Sequence, residues 1–217
     1  MERQFNFSAG PGTLPLEVLQ EAQDEMLVYR DAGASVIEIS HRSPQYTAVV
    51  DSARSLLREL LGIGDDWSIL FLQSGASLQF YQAPLNFLTG QTCADYVITG
   101  AWAKKAHKEA SMIGDARIAA SSADSNFSYI PDTSTWKVSE DAAYLHMTSN
   151  NTIYGTQIKG DPDVGVPLIC DASSDFLSRP IDMSKYGLMY AGAQKNIGPA
   201  GATVVLVRPD FLKRIPD

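Results

Sequence analysis

The chain has 217 residues, 45% of them hydrophobic, which is enough to bury one large core, so we expect a single main domain. Its net charge of −8, with no long run of like charges, argues against nucleic acid as a partner. No apolar run is long enough to cross a bilayer and no signal core follows the polar first residues, which predicts a cytoplasmic protein with no membrane partner.

The N-terminal quarter predicts two helices with a short strand between them. After a turn-rich segment at 6–12, Pro15 is suited to the first turn of a helix. Residues 36–39 alternate like a strand, and the second helix ends at Gly62. The apolar faces consist of Leu19, Ala22, Met26 and Leu27 on the first helix and Val49, Val50, Ala53, Leu56, Leu57 and Leu60 on the second.

His41 and Arg42 lie on the predicted loop between the short strand and the second helix. They can be an ordinary surface pair. Alternatively, they can clamp an anion, because the planar guanidinium of arginine matches the geometry of carboxylate and phosphate.

A buried strand over 69–72 is followed at once by Ser74-Gly75-Ala76-Ser77 and then by an apolar helix. Free backbone N–H groups at the start of a helix, together with the Ser77 hydroxyl, can hold a phosphate without a basic residue. Neither GxGxxG nor GxxxxGK[ST] occurs, so dinucleotide and P-loop sites lack their motifs.

Three further strands are predicted over 96–98, 117–119 and 143–147. Trp102 follows the first of them on a strand-end loop, where an indole can stack on a flat ring or fill core volume. The third strand leads into Thr148-Ser149-Asn150-Asn151-Thr152, whose hydroxyls and amides can line a polar pocket. His146, inside that strand, is interpreted as a core histidine.

Asp171 ends another buried strand, over 166–170. In an open α/β sheet, ligands bind at the carboxyl ends of strands, and a carboxylate there can protonate a pyridine nitrogen. The sequence Ala172-Ser173-Ser174 that follows also fits a helix cap, so both interpretations stay open.

Lys195 lies in the small-residue stretch 190–201, directly after a short buried strand over 188–191. A lysine held in a partly desolvated place can act as a nucleophile toward a carbonyl, which is what a Schiff base requires. A surface lysine on a glycine-rich turn has the same local pattern.

Strands and helices alternate, and each polar segment follows a strand. The fold class is therefore predicted to be α/β, with a mostly parallel mixed sheet covered by helices on both faces and with one pocket at the strand ends. Residues 203–207 are expected to return antiparallel. Cys93 and Cys170 lie in apolar strands without CxxC or histidine-rich spacing, which predicts neither disulfides nor a metal site.

Several motifs in one order resemble the phosphoserine aminotransferase family of class V, fold-type I pyridoxal-phosphate enzymes. They are Asn6-Phe7-Ser8-Ala9-Gly10-Pro11, Ser40-His41-Arg42-Ser43, Gly75-Ala76-Ser77-Leu78-Gln79-Phe80, Gly100-Ala101-Trp102, Ser178-Arg179-Pro180-Ile181-Asp182 and 191–201. The resemblance implies the cofactor pyridoxal 5'-phosphate, a homodimer with sites at the subunit interface, and amino transfer from L-glutamate to 3-phosphohydroxypyruvate in serine biosynthesis, with a related step in pyridoxine synthesis.

The resemblance also implies roles for single residues. Lys195 would hold the cofactor and move the proton, and Asp171 would pair with the pyridine nitrogen. The remaining cofactor-binding residues would be Ala76, Ser77, Trp102, Thr152 and Gln194, and the substrate-binding residues would be Arg42 and His41.

Residues 1–217 would form the cofactor-binding large domain with its N-terminal segment, and we expect the small C-terminal domain of the family to be absent. Ser74 stands where the family usually has glycine, and Asn151 where it usually has glutamate. The alternative to an aminotransferase is a truncated, catalytically silent fragment that binds the cofactor or dimerises. A desulfurase would need a mobile cysteine near the pocket, whereas Cys93 and Cys170 are expected to be buried.

Overall fold

A seven-stranded sheet organises the protein, and a computed structural model describes it for residues 3–90 and 92–215. The strands are β1 (Ser68–Gln73), β2 (Cys93–Ile98), β3 (Asp115–Ser121), β4 (Ala142–Thr148), β7 (Leu168–Asp171), β8 (Tyr186–Gly192) and β9 (Ala202–Val207), and a separate two-stranded sheet holds β5 (Asn150–Asn151) and β6 (Thr156–Gln157). The helices are α1 (Leu16–Glu25), α2 (Pro44–Leu61), α3 (Gln79–Phe87), α4 (Ala101–Ala110) and α5 (Pro209–Leu212).

The large sheet is mixed and mostly parallel, in the order β1-β9-β8-β7-β4-β2-β3. Strands β3, β2, β4, β7 and β8 are parallel neighbours, whereas β9 runs antiparallel to both β8 and β1. This confirms the predicted sheet and the predicted return of 203–207. The carboxyl ends of β4, β7 and β8 therefore lie side by side at one edge, where a site can form.

The two faces of the sheet bury different cores. One core packs α3, α4 and Phe211 of α5 against the strands. The other contains Leu57 and Leu61 from the end of α2 together with loop side chains such as Trp136 and Phe176. The strands between these layers are apolar on both faces, as expected for a covered parallel sheet.

The N-terminal region differs from the prediction in three respects. Residues 36–39 form turns, because no other strand pairs with them in the described chain. Strand β1 is an edge strand, and Leu70 and Phe71 are about 40% exposed, so the prediction of a fully buried strand was wrong. On α2 only Leu57 and Leu61 are buried, which leaves most of its apolar face in solvent.

An ion-pair cluster explains the Ser178–Asp182 motif structurally. Arg179 donates to both oxygens of Asp161, at 2.7 and 3.1 Å, and Tyr186 donates its hydroxyl at 2.6 Å. The backbone N–H of Asp182 adds a bond of 2.9 Å. The cluster ties the segment before β7 to the segment before β8. Burial raises the pKa of Asp161, but the bonds from Arg179, Asp182 and Tyr186 outweigh it and the net shift is downward.

We predict that Arg179→Ala lowers the free energy of unfolding at neutral pH by on the order of 1 kcal/mol. The ion pair between Arg179 and Asp161 is mostly buried, which strengthens it, but its exposed part is screened by solvent, which limits the loss. A depressed folded-state pKa gives stability above the unfolded-state value, so the difference from wild type should shrink as pH falls below about 4. Urea unfolding at several pH values measures it. Arg117→Ala, which breaks an exposed pair with Asp115, is the control with the smaller loss.

Candidate active site

A cavity opens at the carboxyl ends of β4, β7 and β8, where most of the candidate residues were predicted to lie. It is lined by Gly75, Ala76, Ser77, Phe80, Trp102, Thr148, Asn150, Asp171, Ser173, Ser174, Gln194 and Lys195. Six of the seven residues predicted to bind the cofactor are in this set. Thr152 is the exception.

Asp171 is the last residue of β7 and is only 6% exposed. Its Oδ1 accepts hydrogen bonds from the backbone N–H and the hydroxyl of Ser173, at 3.1 and 2.6 Å. Within the described residues, no hydrogen bond reaches Oδ2. Burial raises the pKa of Asp171, Ser173 and the charge of Lys195 lower it, and the net shift is upward. The side chain therefore caps the following turn and keeps one oxygen available, so the two interpretations of Asp171 are compatible.

Lys195 lies in the turn after β8 and is half-buried. Its Nζ is 5.8 Å from the centre of the Trp102 ring. The N-terminal segment crosses this turn, since Gly12 donates its N–H to the carbonyl of Gln194 at 2.7 Å. A Cβ on Gly12 would lie 2.7 Å from the Lys195 carbonyl oxygen, so only glycine allows this close approach. The lysine is thus held between β8 and the N-terminal segment.

Trp102 was predicted to lie on a loop, but it lies in the first turn of α4. It still lines the cavity. Its Nε1 is buried and has no hydrogen-bond partner within the described chain. Thr148, at the end of β4, is 3% exposed, and its Oγ1 also lacks a partner there. Buried polar groups normally form hydrogen bonds, so these two atoms indicate that the cavity accommodates a polar ligand.

Ala76 and Ser77 start a short 3-10 turn, Ala76–Leu78, that leads directly into α3. The first N–H groups of such a turn have no helical acceptor, and both residues line the cavity, which suits an anion. The strand, small-residue turn and helix thus follow the sequence prediction.

Ser74, just before this turn, has a φ of 88° although it is not glycine. A side chain costs about 1–2 kcal/mol in this left-handed region. We predict that Ser74→Gly stabilises the protein by roughly 0.5–1 kcal/mol, after the extra chain entropy of glycine is counted. Urea unfolding tests it, with Ser111→Gly as control, because Ser111 has an ordinary φ of −65° and should lose stability. Equal losses in both variants would contradict strain at Ser74.

Three residues proposed from the resemblance lie outside the cavity. Thr152 is exposed on the turn after β5, and Thr148 and Asn150 line the cavity in its vicinity. His41 and Arg42 are exposed on the turn before α2. The structure of one chain therefore does not bring Arg42 to Lys195.

His146 is a core residue, as predicted. It is 2% exposed, bonds the Tyr190 hydroxyl at 2.8 Å and stacks on Tyr96. Burial lowers its pKa to about 3. Cys93 and Cys170 are both buried and unpaired, and Cys170 does not line the cavity.

The residues present fit pyridoxal phosphate. An amine, a carboxylate with an available oxygen, an indole and an N-terminal helical turn surround one cavity, and two buried polar atoms there lack partners. In the described residues, no group of three histidine, cysteine or acidic side chains is arranged to hold a metal, and no helix has the length and apolar character of a membrane span.

Comparison with known proteins identifies the family. The aminotransferase class V family model matches residues 4–217. The chain belongs to the class V aminotransferases. Among curated relatives of this family, phosphoserine aminotransferase of Geobacillus kaustophilus is 53% identical over 217 residues, which cover all of this chain and 60% of that protein.

Two solved class V structures are similar throughout. Phosphoserine aminotransferase from Bacillus circulans subsp. alkalophilus superposes with a TM-score of 0.95 at 52% identity, covering 100% of this chain and 60% of the other. The pyridoxal-phosphate-bound enzyme from Trichomonas vaginalis gives 0.91 at 44% identity, covering 99% and 64%. These similarities confirm the fold. The chain spans about three fifths of the length of these relatives.

Sequence reasoning did not assign a role to Ser173, Ser174 or Phe80, which also line the cavity. The two serines lie two and three residues after Asp171, just beyond a strand end, and this position is the signal that could have indicated them. Phe80 is the second residue of α3, and the packing of α3 on the sheet brings it to the site.

Proposed function

We propose that this chain is the cofactor-binding large domain of a phosphoserine aminotransferase. The reaction is amino transfer from L-glutamate to 3-phosphohydroxypyruvate, giving O-phospho-L-serine and 2-oxoglutarate. One observation carries the proposal: Lys195, Asp171 and Trp102 line a single cavity, with an available Asp171 oxygen. The high identity to proteins named phosphoserine aminotransferase supports the substrate class.

The bound cofactor would supply an aldehyde and a cationic ring that withdraws electrons from the substrate α-carbon. Lys195 would hold the cofactor covalently at its aldehyde carbon, with the aldehyde oxygen leaving as water, and once displaced by the substrate amine its free amine would carry the proton to and from the α-carbon. Asp171 would keep the ring nitrogen protonated through Oδ2. Trp102 would stack on the ring, and Gln194 would assist at the phosphate.

The phosphate would bind at the N–H groups of Ala76 and Ser77 and at the Ser77 hydroxyl. These neutral donors act at the start of a helical turn, where the partial positive charge favours an anion. Thr152 would approach the polar edge of the ring after a shift of its turn, and Thr148 Oγ1 is the hydroxyl that already lines the cavity.

A homodimer is part of the proposal. Large apolar side chains are exposed on the N-terminal segment and on α2, including Phe5, Phe7, Leu56 and Leu60. Large apolar side chains left exposed in this number suit an interface with another molecule. Arg42 and His41 are exposed on the turn before α2 and do not line the cavity of their own chain, so we propose that they bind the acidic substrate in the site of a second copy.

The cofactor and glutamate test the function directly. Purified chain mixed with pyridoxal phosphate should develop a stable visible absorption band. L-Glutamate should then bleach the band and release 2-oxoglutarate in an amount equal to the bound cofactor. A band that forms but does not respond to glutamate favours the silent cofactor-binding fragment, and the absence of any band contradicts both.

Mixing two inactive variants tests the shared site. Arg42→Ala and Lys195→Ala should each lose turnover, whereas refolding them together should restore about a quarter of the wild-type sites, since half of random dimers are hybrid and each hybrid has one intact site. Arg54→Ala on α2 is a matched arginine control that should keep turnover. No recovery in the mixture contradicts a substrate clamp supplied by a second copy.

We place the enzyme in the cytoplasm, in serine biosynthesis, with a second use in pyridoxine synthesis as the resemblance implies. Two buried cysteines that stay unpaired agree with a reducing compartment. Complementation of a strain that requires serine, tested again with pyridoxine withheld, separates the two pathways.

A further inference from the structure

Ser173 forms more hydrogen bonds than its position in a turn requires. Its Oγ donates to Asp171 Oδ1 at 2.6 Å and accepts the backbone N–H of Gly192, at the end of β8, at 3.0 Å. The residue is 8% exposed and lines the cavity. It therefore joins the strand that ends in Asp171 to the strand that leads to Lys195.

The direction of these bonds is fixed by their partners. The backbone N–H of Gly192 can only donate, so Ser173 Oγ must accept there and direct its own proton elsewhere. That proton goes to Asp171 Oδ1, which also accepts the backbone N–H of Ser173. Two donors restrain Oδ1 within the turn, and no hydrogen bond from the described residues occupies Oδ2 of this cavity-lining side chain.

Two other Asp-X-Ser turns in the chain provide a comparison. At Asp132 and Asp182, the serine two residues later donates its backbone N–H to the same Oδ1 at 2.9 and 3.1 Å, and its hydroxyl at 2.6 Å. The local turn is the same as at Asp171. Neither of these serine hydroxyls, among the described contacts, also bonds a neighbouring strand. The bond to Gly192 is thus an addition to the turn.

Further bonds connect the same two segments. Asn196, next to Lys195, donates its side-chain amide to the carbonyl of Phe176 at 2.7 Å, and the N–H of Ala172 bonds the carbonyl of Tyr190 at 2.9 Å. The Asp171 turn and the Lys195 turn are therefore held together as one unit, and Ser173 is the side chain within this unit that touches Asp171 itself.

We propose that Ser173 is a positioning residue, which holds the Asp171 carboxylate in the orientation that addresses the cofactor ring and in register with Lys195. This proposal rests on the proposed function, because it assigns the orientation to a ring that Asp171 binds. Removing the outer hydrogen-bond partner of a metal ligand typically costs about 10–100-fold in affinity or activity, and we expect an effect of this size for Ser173.

The experiment compares Ser173→Ala and Ser173→Cys with wild type, and uses Ser134→Ala as the matched control. Alanine removes the donor, cysteine keeps a weak one, and Ser134 has the same turn geometry on the surface without a bond to β8. In cofactor-free protein, the pKa of Asp171 is read by carbon-13 NMR of the labelled carboxyl, with the signal identified by Asp171→Asn. A hydrogen bond to a carboxylate favours its charged form.

The expected result is a graded upward shift of the Asp171 pKa, larger in Ser173→Ala than in Ser173→Cys, and no shift in Ser134→Ala. In cofactor-loaded protein, the pH titration of the visible band should shift in both Ser173 variants, and the glutamate half-reaction should slow by about 10-fold or more in Ser173→Ala. If Ser173→Ala fails to fold, the cysteine variant carries both comparisons.

Unchanged Asp171 titration in both Ser173 variants would overturn the proposal, and so would an equal shift in Ser134→Ala. These outcomes are read without cofactor, so they differ from a failure of the proposed function. If wild type binds no cofactor, the function fails while the NMR titration still reports on Ser173.

Discussion

Lys195→Ala is expected to abolish the visible band of the cofactor-loaded chain and to slow the glutamate half-reaction by at least about 10²–10⁴-fold, because the variant loses both the covalent anchor and the base. The geometry supports this choice among the lysines. Lys195 lines the cavity and its Nζ lies near the Trp102 ring, whereas Lys104 and Lys105 are exposed on α4.

Borohydride reduction followed by intact mass measurement gives the clearest readout. Reduced wild-type chain should carry one cofactor, located on the peptide that contains Lys195, and Lys195→Ala should carry none. Lys105→Ala is the control and should behave as wild type. A cofactor that stays covalently attached in Lys195→Ala would remove this lysine, and the proposed mechanism, from consideration.

The interior of the fold could be predicted from the sequence because the central strands are apolar on both faces. Runs such as 188–191 and 203–207 have no other stable place than a covered sheet. The edges of the fold could not be predicted in this way. Residues 36–39 alternate like a strand, but alternation creates no partner strand, and the chain forms turns there.

Exposure was harder to predict than element type. Leu70 and Phe71 in β1, and Leu56 and Leu60 in α2, have the composition of buried residues and yet are 40% exposed or more. Hydrophobicity indicates that a side chain will be buried, but it does not indicate whether the same chain or another molecule buries it. In one chain these residues face solvent, which agrees with the proposed second copy.

The convergence of the candidate residues on one cavity could be predicted, because strand ends meet at one edge of a sheet. Asp171 ends one strand, and Lys195 and Ala76 follow two others, so the sheet brings them to the same edge. The role of Ser173 was not predictable, since the same Asp-X-Ser pattern occurs at Asp132 as a plain surface turn. Ser173 differs from Ser134 because of the strand pairing beside it. Asp171 pairs with Tyr190, and this register brings Gly192, two residues further along β8, to the Ser173 hydroxyl.

Asp171→Asn should keep the cofactor on Lys195 but slow the glutamate half-reaction by about 10²–10³-fold, the usual effect of removing one fixed electrostatic partner. Asparagine has the same shape and its oxygen still accepts from Ser173, so the turn should survive. Without the carboxylate, however, the ring nitrogen loses the group that keeps it protonated. Stopped-flow absorbance measures the rate, and Asp132→Asn, in the equivalent surface turn, should react as wild type.

Although Asp171→Asn should slow the reaction, it should increase the stability of the folded chain. Because burial raises the pKa of Asp171, its charged form is less favourable in the folded chain than in the unfolded one, and the cost appears as pH rises from the unfolded-state value through the folded-state value. Cofactor-free Asp171→Asn should therefore be more stable than wild type at pH 7, with a smaller difference near pH 3. Urea unfolding at the two pH values measures this. A gain that is the same at both pH values would show that the charge of the Asp171 carboxylate is not what lowers the stability of the folded chain.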